Sequence, residues 1–261
     1  MSKGTVLVVG SNGDKLELRD GKSAAIGTYL NEMVVPVMAL VNAGYEIVLA
    51  TPSGARPILD EVSVSASHFN NDEKAFQTAL EFFNTYPAIV KPRTLSSVVE
   101  EGLDKYAAMF VPGGHAPIID ISQNADVGTI LRHFHEKGLP TALLCHGPIT
   151  LIASVPEMTA FRAALERDDM TAAKTAGKGW QYAGYQMTIF SNDEEKIAED
   201  QLLHGKMKFY VGDALQAAGG IVTSNTQVFE PHVTQDRELI TGQNPRSDHA
   251  IADALLKALA G

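Results

Sequence analysis

Cys145 is the only cysteine in the chain, and its neighbours are residue types that can activate a thiol. The apolar stretch at residues 139–144 has a strand pattern, and Cys145-His146-Gly147-Pro148 follows it directly. Gly147 permits a tight turn, and Pro148 suits the first position of a helix. This strand–turn–helix pattern predicts a nucleophile elbow with cysteine in the place of serine. The positive end of the following helix would stabilise a thiolate and lower the pKa of the thiol.

His146 is the nearest base to Cys145, but its position leaves two roles open. A lone cysteine is more often a small buried residue than a nucleophile, and it is the turn that favours chemistry here. Side chains of adjacent residues on a sharp turn tend to point apart. His146 could therefore take the thiol proton, or it could shape the cleft and bond to the backbone.

A second glycine-rich turn follows another apolar stretch. Residues 107–111 have a strand pattern, and Pro112-Gly113-Gly114-His115 comes next. Paired glycines let the backbone approach a ligand closely and offer N–H groups to negative charge. A plain turn is the alternative, but we predict that Gly113, Gly114 and His115 form an oxyanion hole or bind substrate.

Glu32 is the third part of the predicted site. It lies among apolar residues, four positions before Pro36, which cannot donate a hydrogen bond to the Glu32 carbonyl. A glutamate on the polar stripe of a surface helix would explain this pattern. A carboxyl held near a thiolate would instead have a raised pKa and could act as a general acid or base.

The elements that must position these residues alternate along the chain. Apolar stretches rich in β-branched residues are separated by helical patterns, which favours a mostly parallel sheet with helices on both faces. The carboxyl ends of parallel strands meet at one edge, so both turns could face the same crevice. The predicted strands are 5–10, 46–50, 107–111, 141–144 and 220–223, with a hairpin at 233–235 and 238–241. The predicted helices are 25–43, 72–84, 126–137, 193–203, 209–218 and 247–259.

Two regions look like additions to this sheet core. Residues 53–95 have little strand character, and residues 156–185 carry several aromatic side chains. Insertions at the carboxyl ends of strands usually wall a cleft. The chain contains no repeat and no Gly/Ser/Pro-rich linker, so we predict a single domain, residues 1–261, with a small cap formed by both insertions.

The net charge and the composition argue against some classes of binding partner. The chain has 261 residues and a net charge of −10, without a stretch rich in Lys or Arg, which argues against nucleic acid or an anionic membrane as partner. No apolar stretch approaches the roughly 20 residues of a membrane span. The start of the chain lacks a signal-peptide pattern. We therefore expect a cytoplasmic protein.

The same composition argues against a metal or another cofactor. One cysteine excludes an intrachain disulfide and a thiolate zinc site. His133 and His135 are two positions apart on a predicted helix, so they cannot chelate together. His68 and His204 are isolated in the sequence. We predict that the protein uses no metal and no cofactor.

Together these motifs resemble the ThiJ/PfpI superfamily, most closely its heat-shock-chaperone and glutathione-independent glyoxalase III branch. The resemblance is carried by residues 145–148, by residues 111–115, and by Glu32 with Pro36. Residues 239–245, Leu-Ile-Thr-Gly-Gln-Asn-Pro, resemble the "L-V-T-G-x-N-P" segment of that branch. The motifs occur in the same order over nearly the whole chain.

The resemblance implies a flavodoxin-like three-layer sandwich and a homodimer. It implies that Cys145 is the nucleophile, that Glu32 is the acid/base beside its sulfur, and that His146 is the family histidine. The amides of Gly114 and His146 would form the oxyanion hole.

Some members of the superfamily carry a further acid after the strand that follows the elbow helix. Residues 189–195 occupy that place in this chain. Glu195 is the best match for the third member of the triad, with Asp193 as the alternative. Ser191-Asn192 replaces the usual aromatic residue and proline, which leaves this assignment open.

The leading functional hypothesis is a glyoxalase III-type lyase. The Cys145 thiolate would add to the aldehyde of methylglyoxal, glyoxal or a similar small 2-oxoaldehyde. Glu32 would move a proton between the two carbons, and hydrolysis would release a 2-hydroxy acid without glutathione or metal.

Two other classes remain open. One is a holding chaperone or protein deglycase, for which residues 156–185 would offer an exposed apolar patch. The other is a cysteine hydrolase, or a hydratase acting on another small electrophile. A glutaminase is disfavoured, because residues 232–234 read His-Val-Thr and lack the glutamate of a His-x-Glu pair.

Overall fold

The computed structural model describes residues 2–261, which form an α/β sandwich. The strands are β1 (Thr5–Val9), β2 (Lys15–Glu17), β3 (Ser23–Ala25), β4 (Glu46–Thr51), β5 (Arg93–Thr94), β6 (Tyr106–Val111), β7 (Thr141–Leu144), β8 (Gln186–Met187), β9 (Ile221–Val222), β10 (Val233–Asp236) and β11 (Leu239–Gly242). The helices are α1 (Leu30–Asn42), α2 (Glu73–Thr85), α3 (Pro87–Val90), α4 (Leu95–Glu100), α5 (Ala125–Lys137), α6 (Met158–Glu166), α7 (Met170–Ala176), α8 (Asn192–Ala198), α9 (Val211–Ala218) and α10 (Asp248–Ala260).

A central sheet organises the molecule. Within residues 2–261 it has seven strands in the order β10-β11-β7-β6-β1-β4-β5, all parallel except β10. Every residue of β7 is buried, and β1 is buried from Val6 onward. Strands covered by helices on both faces have continuous apolar runs, which is the pattern seen in the sequence. The predicted flavodoxin-like sandwich is confirmed.

Two groups of helices cover the sheet. α1 packs against α10 and α2, whereas α5 packs against the segment Gly147–Ser154, which also contacts α9. Gly147–Ser154 is the helix predicted after the elbow, and it is a 3₁₀-helix rather than an α-helix. All of its residues are buried.

The prediction that residues 220–223 form a buried strand of the central sheet is wrong. β9 pairs with β8 in a separate small sheet, and Ile221 is 52% exposed. The edge of the central sheet beside β11 is instead taken by β10, through the predicted hairpin. Two adjacent β-branched residues satisfy a strand pattern locally, but the pattern does not say which edge is free.

The first long helix is shorter than predicted. Residues 23–25 pair with β2, and Thr28 forms a bridge to Leu59, so the chain stays extended as far as Tyr29. The Leu30 N–H then donates to Ser63 Oγ at 3.0 Å, which satisfies a free donor at the start of α1. Contacts from a distant loop therefore set this boundary.

The two insertions differ in what they do. Residues 53–95 contain α2 and α3 and end in β5 at the edge of the central sheet. Residues 156–185 contain α6 and α7, and α7 packs against α9. Trp180 in this second insertion is buried and donates from Nε1 to the Leu151 carbonyl at 3.0 Å. The expectation of an exposed apolar patch on residues 156–185 is therefore wrong, since the aromatic side chains of this segment are in the core.

Candidate active site

Cys145 lies at the end of β7 in a left-handed conformation, with φ of 58°. Its N–H donates to the Gly242 carbonyl at 2.8 Å, and its carbonyl accepts from the Phe190 N–H at 3.0 Å. A non-glycine residue with positive φ is strained, and here bonds on both sides hold it in place. This is the elbow geometry that the sequence pattern predicts.

His146 contacts both the thiol and a carboxylate. Its Nδ1 lies 3.4 Å from Cys145 Sγ, and its Nε2 lies 2.7 Å from Glu195 Oε2. An ionised carboxylate can only accept, so Nε2 carries the hydrogen and Nδ1 is free to accept the thiol proton. Of the two roles left open by the sequence, the structure places His146 in reach of the sulfur. The expectation that adjacent side chains point apart does not hold at this turn, where Cys145 has a left-handed φ.

Glu195 rather than Asp193 faces the histidines. The Asp193 side chain is 76% exposed and pairs with Lys196 at 2.9 Å. Glu195, two positions later on the short helix α8, is fully buried. A capping box formed by Ser191 and Glu194 begins this helix and so sets which carboxyl points inward.

His115 also binds Glu195, which gives the carboxylate two imidazole partners. His115 Nε2 lies 2.8 Å from Glu195 Oε1, and the His115 and His146 rings are 4.0 Å apart at their centroids. Burial alone would lower the pKa of His115, but the neighbouring carboxylate outweighs it and the pKa is raised. Burial and the charge of His115 lower the pKa of His146. Both histidines hold the pKa of Glu195 well below its usual range, against the opposing effect of burial.

Glu32, on α1, also lies near the sulfur. The residue is fully buried, and neither carboxyl oxygen has a well-oriented hydrogen bond within residues 2–261. Burial raises its pKa well above the usual range, and the charge of Asp248 adds to this. The Cys145 thiol and the Gly113 and Gly114 amides lie close enough to lower that pKa in part.

The thiol and the Glu32 carboxyl are coupled. Burial and the Glu32 charge raise the pKa of Cys145, while the Gly114 amide lowers it. The predicted lowering of the thiol pKa is therefore wrong for the resting site, because two negative charges cannot share this buried space. The thiolate forms more readily while Glu32 holds a proton, so the titrations of the two groups depend on each other.

Glycine is required at both positions of the second turn. A Cβ on Gly113 would lie 2.4 Å from Glu32 Oε2 and 2.7 Å from Cys145 Cβ. Gly114 has φ of 77°, and a Cβ there would lie 2.1 Å from the Gly27 carbonyl oxygen. The turn thus brings backbone against the reacting groups, as predicted, while its role as an oxyanion hole stays a prediction.

A cavity of about 960 Å³ opens over the sulfur. Tyr29, His68 and Phe69 line one side, so part of the first insertion forms a wall. The structure describes all of residues 156–185, and none of them lines the cavity. The expectation that this insertion walls the cleft is therefore wrong. The remaining wall comes from the end of α8 and the π-helical turn after it, from residues 229–231 and from residues 245–249.

The histidine–glutamate cluster is where a cation could be sought. Nitrogens of His115 and His146 and an oxygen of Glu195 all lie within 4.8 Å of one another. Each nitrogen is already at hydrogen-bonding distance from its own carboxylate oxygen. The two Nε2 atoms and the carboxylate oxygens therefore satisfy one another by hydrogen bonding. The absence of a metal stays a prediction.

Glu194 is a structural residue that sequence reasoning missed. Its Oε1 accepts from the Phe229 N–H at 2.7 Å and from Asn244 Nδ2 at 2.9 Å. Its Oε2 accepts from Gln243 Nε2 at 3.0 Å and from Ser191 N–H and Oγ at 2.9 Å each. Glu194 thereby ties the start of α8 to the residues after β11 and to the cavity wall. The Ser-x-x-Glu capping pattern was the available signal.

The fold and the site together define an α/β protein with a buried thiol, imidazole and carboxylates at the carboxyl edge of a parallel sheet. Residues 24–188 match the DJ-1/PfpI family, and the chain belongs to that family. Among residues 2–261, no helix combines the length and the apolar character needed to cross a bilayer.

Similar proteins cover the chain almost completely. The protein/nucleic acid deglycase HchA of Pseudomonas aeruginosa is 25% identical over 97% of this chain and 80% of its own length. The Staphylococcus aureus protein of the same name is 27% identical over 95% of this chain and 77% of its own length. The structure of glyoxalase III from Candida albicans matches with a TM-score of 0.66 at 20% identity, over 98% of this chain and 97% of that one. At that identity the structural match shows the shared fold.

Proposed function

We propose that the protein is a glutathione-independent glyoxalase III-type lyase that converts a 2-oxoaldehyde to a 2-hydroxy acid. The observation that carries the proposal is the presence of two proton-transfer systems at one sulfur. His146, held by Glu195, is 3.4 Å from Cys145 Sγ. The buried Glu32 carboxyl also lies near the sulfur, next to Gly113.

The second carboxyl favours a lyase over a hydrolase. A cysteine hydrolase needs one base for the thiol and the attacking water, which His146 can supply. A buried carboxyl with a raised pKa is surplus for that reaction. It is, however, what a proton transfer between adjacent carbons requires. The names of the relatives, a deglycase and a glyoxalase III, support chemistry on carbonyl compounds.

The reaction proceeds in three steps. Cys145 Sγ forms a bond to the aldehyde carbon while its proton passes through His146 to the carbonyl oxygen, giving a hemithioacetal. Glu32, as carboxylate, removes the hydrogen from that carbon and delivers it to the adjacent carbon. At the same time the ketone oxygen gains a proton and the hydroxyl of the hemithioacetal loses one, which leaves a thioester beside a hydroxyl group. Water, activated by His146, then releases the 2-hydroxy acid and restores the thiol.

Lactate formation from methylglyoxal tests the proposal. Purified protein without glutathione should form lactate, and Cys145→Ala should abolish it. Glu32→Gln should lower kcat by about 10²–10⁴-fold, the usual contribution of a general acid–base group. In Glu32→Gln, methylglyoxal should still protect Cys145 from iodoacetamide, because the hemithioacetal forms before Glu32 acts.

A matched control is Asp193→Asn, since Asp193 is an exposed acid. It should keep kcat within about threefold. Absence of lactate with the wild-type protein, or full activity in Cys145→Ala, would overturn the proposal.

A deglycase is the second candidate, and the size of the cavity favours it. Ligand cavities for drug-sized molecules span about 300–1,000 Å³. The cavity here, about 960 Å³, is far larger than a three-carbon dicarbonyl needs. A glycated amino-acid side chain would fill more of it.

The two candidates are separated by kinetics. A lyase that consumes only free methylglyoxal cannot remove the adduct of N-acetylarginine faster than the adduct dissociates spontaneously. A deglycase can. Adduct loss that exceeds the spontaneous rate and requires Cys145 would establish the second candidate; loss at the spontaneous rate would exclude it.

A further inference from the structure

His115 is committed to Glu195 through only one of its ring nitrogens. Nε2 is 2.8 Å from Glu195 Oε1, whereas Nδ1 has no hydrogen-bond partner within residues 2–261. The polar side-chain atoms that are both enclosed and unpartnered belong to other residues, so Nδ1 keeps access to open space. His115 is one of the residues that line the cavity over the sulfur.

The pKa values of the two histidines are shifted in opposite directions although both rings bind one carboxylate. Glu195 only accepts hydrogen bonds, so both Nε2 atoms carry hydrogen. The pKa of His115 is raised by Glu195 and Asp60 in spite of burial, whereas burial and the charge of His115 lower the pKa of His146. The raised pKa favours the imidazolium form of His115, and the lowered pKa favours the neutral form of His146. In those forms the His115 Nδ1 carries a hydrogen that it can donate, and the His146 Nδ1 can accept the thiol proton.

We propose that His115 is a second catalytic histidine, whose Nδ1–H donates to the ketone oxygen of the bound 2-oxoaldehyde while Glu195 holds its other nitrogen. This inference rests on the proposed lyase function. The charged and titratable groups that face His115 are Glu195 from α8, His146 from the elbow, and Asp60 from the loop before residues 61–63.

The proton count balances with His115 in this role. When Glu32 removes the hydrogen from the hemithioacetal carbon, His115 gives its Nδ1 proton to the ketone oxygen, and an enediol forms. When Glu32 returns the hydrogen to the adjacent carbon, the hydroxyl on the sulfur-bearing carbon gives its proton back to His115. The product is a thioester beside a hydroxyl group, and both residues return to their starting states.

His115→Gln tests the proposal through kcat and its pH dependence. With methylglyoxal, kcat should fall about 10²–10⁴-fold. In the wild type, the active imidazolium is lost as the pH rises through the raised pKa of His115, so kcat should fall on the alkaline side. That alkaline limb should be missing in His115→Gln. The matched control is His133→Gln, on α5 outside the cavity, which should keep kcat and the alkaline limb.

Unchanged kcat, or an unchanged alkaline limb, in a folded His115→Gln variant would overturn the proposal. A second measurement needs no turnover. ¹⁵N NMR of the histidine side chains in the wild-type protein should show the His115 ring doubly protonated at pH 7. A neutral His115 ring at that pH would also overturn it. Failure of the lyase function would appear separately, as a wild-type protein that forms no lactate.

Discussion

Glu195 brings a negative charge into the interior and binds one imidazole with each oxygen. The two imidazoles interact with this carboxylate in different ways. The raised pKa of His115 favours the ring form that carries a compensating positive charge, while the hydrogen bond from His146 Nε2 to the carboxylate keeps its hydrogen on Nε2. The tautomer of His146, and so its ability to accept the thiol proton, depends on this one side chain.

We expect Glu195→Gln to show a pH-dependent loss of stability. The pKa of Glu195 lies below its ordinary value of 4.5, so its stabilisation is present above pH 4.5 and lost as the pH falls. The pKa of His115 lies above its ordinary 6.5, so its share is present below pH 6.5 and lost as the pH rises through the raised value. The deficit should be about 3 kcal/mol between these limits, as for a broken buried pair.

Urea unfolding of the wild type and Glu195→Gln at pH 4, 6 and 9 measures this deficit. It should be largest at pH 6 and smaller at both other values. A deficit that is constant over the three pH values would contradict the assignment of charge to Glu195 and His115.

Gly113→Ala should inactivate the protein by steric conflict. Its Cβ would meet Glu32 Oε2, Cys145 Cβ and the Leu144 carbonyl, at 2.4–2.7 Å. The backbone carbonyl cannot move aside, so Glu32 must leave the sulfur or the turn must shift, at a cost of about 1–3 kcal/mol. Lactate formation and thermal unfolding measure both effects.

The control for that variant is Gly212→Ala in α9, where the nearest atom to the new Cβ is the Asn192 side chain at 3.1 Å. A side chain can adjust, and alanine favours the helix, so activity should persist. Equal activity losses in the two variants would show that the conflict at Gly113 is not the cause.

At the scale of elements, the backbone of the elbow is strained, as the strand–turn–helix pattern predicts. β7, the turn and the 3₁₀ segment Gly147–Ser154 place Cys145 at φ of 58°. The left-handed region costs a non-glycine residue about 1–2 kcal/mol. The bonds from Cys145 to Gly242 and Phe190 must offset that cost.

We therefore expect the usual order of alanine and glycine to reverse at this position. Cys145→Gly should be more stable than Cys145→Ala by about 1 kcal/mol, because glycine adopts positive φ without strain. Chemical unfolding of the two variants, neither of which carries a thiol, measures the difference. A more stable Cys145→Ala would mean that the elbow is relaxed.

Local patterns predicted the elements whose chemistry is local. The apolar strand before Cys145, the turn after it and the glycine pair at 113–114 are all read from neighbouring residues. The pairing of His115 with Glu195 joins positions 80 residues apart in the sequence, and no local period reports it. The start of α1 at Leu30 and the displacement of β9 from the central sheet also depend on distant contacts, with Ser63 and β10.

At the scale of the whole molecule, the second insertion belongs to the core. Trp180 donates to the Leu151 carbonyl and to Ser154 Oγ, at 3.0 and 3.1 Å, and so braces the segment behind the elbow. Its aromatic neighbours Tyr182 and Tyr185 are buried as well. We expected residues 156–185 to form part of a cap, but the sequence pattern alone does not distinguish a cap from a buried layer.

Trp180→Phe should lower stability without changing substrate binding. The variant removes the Nε1–H that the Leu151 carbonyl and Ser154 Oγ share. Ser154 Oγ still donates to that carbonyl at 2.9 Å, so the loss should be about 0.5–1.5 kcal/mol. KM for methylglyoxal should stay within about twofold, because Trp180 does not line the cavity. Denaturation and steady-state kinetics test the two halves, and a raised KM with unchanged stability would restore the cap interpretation.

The predicted homodimer is a further property at this scale. Sedimentation analysis of the purified protein would decide between monomer and dimer.

The late position of β11 in the chain has a consequence for how the protein is made. The Cys145 N–H bonds to Gly242, and β11 inserts between β7 and the edge strand β10. During synthesis, β7 and the thiol leave the ribosome well before this support exists. The left-handed turn is then unbraced, and the cavity lacks its wall from residues 245–249. A nascent chain therefore exposes an ordinary thiol to the cell, and the reactive site is assembled only when the last strand has docked.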